Sequence, residues 1–379
     1  MVGALLDATE NVLRSHGYPG ASTNRVARAA RVSVGSLYQY FGDKDGLIGA
    51  ALERALGREA ERLAEIAEQA RSLPLEEGVA RVVDAAVRSR NEQRALLAVL
   101  AEHGARFGPG TAAQQLARLQ RGHADPLHRL VSARRTELRE TGVETLSFAS
   151  AALLDTTTFA YAVCAPTTVR PGALVDVLAE SIAAHLVAAP PEAAPAPEVA
   201  SIEVARVREL LADSCRSASA RAALLDELVA DELSALAALR ASGAPLPALC
   251  EGMLRFWAQS ARELLRAAGA AAVSGAALEP EAWVARADRR ARRIRAWLAE
   301  AQGPLAEGAG DAAVFVLTHA FLDLGLLFAQ AREPAEIVDA RIADAGALLA
   351  HCARLAREDV STTASRASSG ALTSSARPE

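Results

Sequence analysis

The chain has 379 residues, 51% hydrophobic and 4% aromatic, with a formal net charge of −5, so it has room for two or three domains with real cores. A whole-chain charge of −5 offers no general electrostatic attraction for nucleic acid. Cys164, Cys215, Cys250 and Cys352 lack CxxC spacing, which argues against a disulfide framework or a zinc site and fits a reducing cytoplasm.

Alanine is abundant and alternating Val/Ile/Thr runs are hard to find, which predicts an all-α protein. No signal peptide opens the chain, and no run of about 18 apolar residues lacks charges, so no membrane partner is expected. The first informative stretch is Ser22 to Lys44. Its apolar positions predict a helix over Thr23 to Ala30 packed by Val26 and Ala30, a turn through Arg31 to Ser33, and a second helix over Val34 to Phe41 packed by Leu37 and Phe41. That is a helix-turn-helix. Its second helix offers Ser36, Tyr38, Gln39 and Tyr40 to base edges or phosphate oxygens, and Gly35 permits close backbone approach. Lys44 is the one lysine in the chain, and on the first turn of the next helix its ammonium suits a phosphate. Residues 1 to 50 carry a net charge of only about +1, so binding must rest on a few well-placed contacts.

Farther along, residues 188 to 198 are proline-rich and form a linker, and residues after 358 are Ser/Thr/Ala-rich and read as a disordered tail. The two halves share a pattern. A helix over 47 to 69 precedes Leu73-Pro74-Leu75, as one over 222 to 239 precedes Ala244-Pro245-Leu246; helices over 149 to 163 and 174 to 186 match 312 to 330 and 337 to 355. The spacing predicts a duplicated helical domain. Expected domains are 1–46 (DNA-binding), 47–187 (first helical body), 188–200 (linker), 201–358 (second body) and 359–379 (tail). Segment 201 to 219 lacks a Gly-x-Leu-Tyr element and a lysine, so no second DNA-reading unit is expected.

The arginines from Arg286 to Arg295 alternate with Trp283, Ala287, Ile294 and Leu298 at helical spacing and read as a solvated amphipathic face. Phe256, Trp257, Trp283, Trp297, Phe315, Phe321 and Phe328 fit either core packing or a pocket for a flat apolar effector. His123 and His128 straddle Pro126, which disfavours a metal site. No Gly-x-Ser-x-Gly, phosphate loop or dinucleotide fingerprint is present, so no catalysis and no cofactor are expected.

Residues 4 to 56 resemble the DNA-binding domain of the TetR/AcrR family of bacterial repressors: His16-Gly17-Tyr18, Ser22-Thr23, Val32-Ser33-Val34-Gly35-Ser36-Leu37-Tyr38-Gln39-Tyr40-Phe41 and Asp43-Lys44-Asp45-Gly46-Leu47 carry the match. The resemblance implies phosphate contacts at Thr23, Tyr38, Tyr40 and Lys44, and groove or base contacts at Asn24, Val34, Gly35, Ser36 and Gln39, with Ser22 in the same DNA-facing set. Arg31 replaces the family's turn glycine, and the chain opens without a basic arm. By analogy the first body offers His103, Arg106, Phe107, His123, His128, Thr156, Thr157, Phe159 and Tyr161 to a small apolar effector. The implied protein is a DNA-binding transcriptional repressor of the bacterial cytoplasm, at the nucleoid, binding a double-stranded operator. A homodimer is expected through 149–163, 174–186, 320–329 and 340–355, with pairing of the two halves inside one chain as the other arrangement. The competing function is a helical ligand-binding or interaction module with weakened DNA binding.

Overall fold

Polar side chains start the short helices of the N-terminal segment and fix where each begins. The structure, a computed structural model, describes residues 1–103, 126–139, 142–188, 195–202, 218–268 and 280–357. Helix α1 (Val2–Gly20) breaks at Gly17, whose φ of 61° suits a residue without Cβ. Then come α2 (Thr23–Ala29), α3 (Val34–Tyr40) and α4 (Lys44–Ala70), within a residue of the predicted limits for α2 and α3. Ser22 caps α2 by accepting from the Arg25 amide, Ser33 caps α3 by accepting from Ser36, and Asp43 caps α4 by accepting from Gly46. Each cap contributes about 1 kcal/mol. Leu5, Leu13, Val26, Leu37, Leu47 and Leu52 form the core among these helices. That core does not stop at residue 46. It continues through Leu96, Leu97 and Leu100 of α6 (Arg94–His103) to Ala162, so the expected boundary falls in the first turn of a continuous α4.

The rest of the first half is α5 (Leu75–Glu92), α7 (residues 126–133), α8 (Val143–Cys164) and α9 (Pro171–Val187). The second half contains α10 (Ala218–Ala241), α11 (Leu246–Ala268), α12 (Pro280–Gln302), α13 (Ala309–Ala329) and α14 (Ala335–Leu355). No strand occurs among the described residues. The fold is all-α. Helices α8 and α13 are long and apolar enough to cross a membrane by length and composition, yet 72% of each apolar window is buried inside the chain.

The other half supplies part of that cover, alongside each helix's own half. A single apolar core runs from Leu63 to Ala356, and within it α8 and α9 pack against α13 and α14. The faces expected to join two chains are therefore occupied by one another within one chain. Gly325 permits the close contact of α13 with α11, where an added Cβ would lie 2.3 Å from the Trp257 Cβ. The tail and nearly all of segment 201 to 219 before α10 lie outside the described residues.

Among the described residues, the arginine-rich helix α12 departs most from its expected solvated face at Arg290. Arg290 is buried and makes a two-pronged pair with Glu232 of α10 at 2.7 and 2.8 Å, because the inward turn of α12 has a buried carboxylate opposite it. Arg289 pairs at the surface with Asp226.

Candidate nucleic-acid interface

Helix α3 has one buried face, set by Leu37, which is fully enclosed. Turning away from it are Gly35, Tyr38, Gln39 and Tyr40, all exposed, with Val34 and Ser36 half-buried. Both tyrosines are 50% exposed, whereas every other Phe, Tyr or Trp side chain among the described residues is buried or half-buried. Their hydroxyls and the Gln39 amide supply donors and acceptors on one convex ridge. Asn24 and Ser22 are exposed at the start of α2, and Thr23 Oγ1 lies 3.4 Å from the Tyr38 hydroxyl, which ties the two helices at the surface. Ser36 Oγ sits 2.8 Å from Ser33 Oγ, so part of its capacity is used at the α3 cap.

The turn between α2 and α3 explains the Arg31 departure. Arg31 has φ 57°, in the left-handed region; its N–H donates to Arg28 O and the Val32 N–H to Ala27 O, the paired bonds that end a helix in a Schellman motif. The turn keeps its geometry and accepts the strain of a side chain there, about 1 kcal/mol.

Lys44 is held rather than loose. Its Nζ donates to the Tyr18 carbonyl at 2.8 Å and lies 3.8 Å from the centre of the Tyr18 ring, a cation–π contact. The Tyr18 hydroxyl donates to Asp45 at 2.6 Å, and the His103 ring lies beside its ring with centroids 4.0 Å apart. This chain of contacts, missed by sequence reasoning, links the last residue of α6 to the first residue of α4. Its one sequence signal was Gly17, whose left-handed bend turns Tyr18 inward.

Two ion pairs brace the same unit. Glu10 of α1 accepts from Arg54 at 2.8 Å and from Arg58 at 2.7 Å, both on α4. Arg14 donates to the Glu92 carbonyl at 2.7 Å and joins α1 to α5.

The sequence pattern of bacterial regulatory proteins of the tetR family matches residues 5–51. The N-terminal domain is a tetR-type domain. Over 52 residues the chain is 42% identical to the HTH-type transcriptional regulator BetI of Burkholderia cenocepacia and, equally, to that of Burkholderia ambifaria; the match covers 14% of this chain and 27% of each relative. The chain thus spans about a quarter of the length of the curated relatives it matches. Among solved structures, the fatty acid degradation regulator FadR from Bacillus halodurans is 18% identical with a TM-score of 0.39, over 48% of this chain and 98% of that one. A putative TetR-family regulator from Rhodococcus sp. is 20% identical with a TM-score of 0.35, over 48% of this chain and 94% of that one.

The residues expected around an effector are less gathered than those of the tetR-type domain. Phe107, with Arg106 and His123, lies outside the described residues, and so does the side chain of Trp283. His103 stacks on Tyr18, and Phe159 packs on the N-terminal core. Tyr161 donates to the Val169 carbonyl at 3.2 Å and meets Phe315 edge-on. Phe256 and Trp257 pack edge to face, Trp297 meets Phe321, and all four are buried in the main core. Thr157 is the exception. Its neighbours Thr156 and Thr158 donate to carbonyls of their own helix, whereas the fully buried Thr157 hydroxyl has no hydrogen-bond partner among the described residues. A cleft of about 500 Å³ beside α7 is lined by Glu68, Arg71, His128, Arg129, Ser132 and Ala133.

Proposed function

We propose that this protein is a sequence-specific, double-stranded-DNA-binding transcriptional repressor, released by a small apolar effector bound in the first helical body. One observation carries the reading: the exposed ridge of Gly35, Tyr38, Gln39 and Tyr40 on a short, capped helix whose opposite face is locked by Leu37. A helix so presented suits a major groove, with Gln39 and Ser36 facing bases and Thr23, Tyr38, Tyr40 and Lys44 facing phosphates. Support for the effector is the seam at which Phe159 and Ala162 of α8 join the core of the DNA-binding domain. A ligand that shifts α8 or α6 there changes the floor under that domain.

The test uses duplex DNA from upstream of the protein's own coding region, with titrations at several salt concentrations and a reporter driven by the same DNA. Specific binding and reduced reporter output are expected. Lys44→Ala should weaken binding to every sequence and lower the slope of log affinity against log salt by about 0.9. Unchanged affinity and slope in Lys44→Ala would remove the lysine from the interface, and failure of the wild type to prefer this DNA would overturn the reading.

A further inference from the structure

We infer that the C-terminal half of this chain is a covalently attached partner subunit: it fills the pairing face of the first half, and one chain alone is the complete DNA-binding unit, reading a single half-site. The reason lies in how α8 and α9 meet α13 and α14. Phe148, near the start of α8, packs on Phe328, near the end of α13, with ring centroids 6.1 Å apart. Tyr161, near the end of α8, packs edge-on against Phe315, near the start of α13, at 6.0 Å. The same number of residues separates Phe148 from Tyr161 as separates Phe315 from Phe328. Phe148 therefore corresponds to Phe315 and Tyr161 to Phe328. The two contacts are then one contact made twice, with the roles of the halves exchanged.

That exchange is the mark of a two-fold interface, in which residue i of one side meets residue j of the other and the reverse. Residues near such an axis meet their own counterparts. His185 of α9 follows Tyr161, and His351 of α14 follows Phe328, at spacings that differ by one residue; these two rings lie against each other at 6.3 Å, T-shaped. Two apolar helices from each half thus close around a pseudo-two-fold axis inside one molecule.

The seam is sealed by charge. Asp344 of α14 accepts from Arg139 and, at 3.0 Å, interacts with His185 Nε2, and all three side chains are buried. Desolvation lowers the Arg139 pKa while the facing Asp344 opposes that fall; burial, helped by Arg354, His185 and Arg139, pushes His351 down to about 4. Opening this seam to exchange the second half for another chain exposes the apolar windows of α8 and α13 and strands a buried carboxylate. Tethering meanwhile gives the attached half a large effective concentration advantage over any free one.

The half-site clause rests on the proposed DNA-binding function, but the pairing does not, so two readouts separate them. Light scattering of the full chain across a wide concentration range should give a mass near 39.6 kDa, and the complex with footprinted upstream DNA should contain one chain per recognition segment. The footprint should cover one major-groove segment rather than two about 34 Å apart bound together. A mass near twice that value, free or on one site, overturns the inference and leaves DNA reading intact. A monomer with no DNA preference overturns the function and leaves the pairing intact. Thermal midpoints supply a check free of assembly: Phe148→Leu with Phe328→Leu should shift the midpoint by less than the sum of the single shifts, while Phe148→Leu with Phe315→Leu should add. Simple additivity in both pairs overturns the seam.

Discussion

In the first half, Arg90 of α5 lies fully buried between Asp155 of α8, at 2.9 Å, and Glu59 of α4, at 3.5 Å. In the second half a buried arginine again pairs with a carboxylate on the leading helix, Glu232 of α10, but it is Arg290 of α12; Asp323 of α13 faces it only through space, its carboxyl pushed up to about 7 by burial. The arginine has moved to another helix and its pairing with the leading helix has stayed. What both halves maintain is a buried arginine paired with a carboxylate of the leading helix. Among the described residues, only the leading helix of the first half continues into a DNA-binding domain.

The largest effect should come from breaking these clusters. Arg290→Met leaves Glu232 buried without its cation, and stability should fall by about 3–5 kcal/mol, read from the urea midpoint. Adding Glu232→Met should recover most of the loss. Arg90→Met should cost a similar amount and also change DNA release by effector, because Glu59 lies on the helix that starts at Lys44. Equal DNA behaviour in both folded variants would break the distinction between the halves.

A smaller effect separates the halves by pH. His319 of α13 corresponds to Ala152 of α8, and burial, with Arg290 nearby, lowers its pKa from 6.5 to about 3. The unfolded chain therefore takes up this proton first as pH falls. The stability contributed by keeping His319 neutral is full above about 6.5 and is lost as pH falls toward about 3. His319→Leu should remove about 2 kcal/mol of the loss between pH 7.5 and pH 4.5, measured as the change in urea stability across that interval relative to wild type. The same acid sensitivity in the variant would place its source elsewhere.

The smallest effect belongs to the DNA-binding domain. Arg31→Gly should raise stability by about 1 kcal/mol by removing the strain of a side chain at φ 57°. Unchanged or lower stability would show that the arginine makes up for its backbone.

Much of that domain was legible in the sequence because its signals are short-range. Ser22, Ser33 and Asp43 lie three residues before the amides they cap, and Leu37 marks the buried side of α3. The positions of the helices flanking Pro-containing breaks were legible, and α8, α9, α13 and α14 appear close to where they were expected. What was not legible depends on distant partners. Arg290 looked like its neighbours in a solvated run because Glu232 is 58 residues away. The choice between pairing within and between chains had no local signal, since the same apolar stripe serves both. The hold of Tyr18 on Lys44 likewise spans 26 residues.

Asp344 shows what joining two such halves permits. The equivalent place on α9 is Leu178, which is fully buried. In an assembly of identical chains every substitution arrives twice, so an acid placed beside the axis must tolerate its own image. Here the acid occurs once and faces Arg139 and His185, with an aliphatic side chain at the mirrored place. The two sides of the seam are free to diverge by single mutations, and each can specialise without asking the other to change.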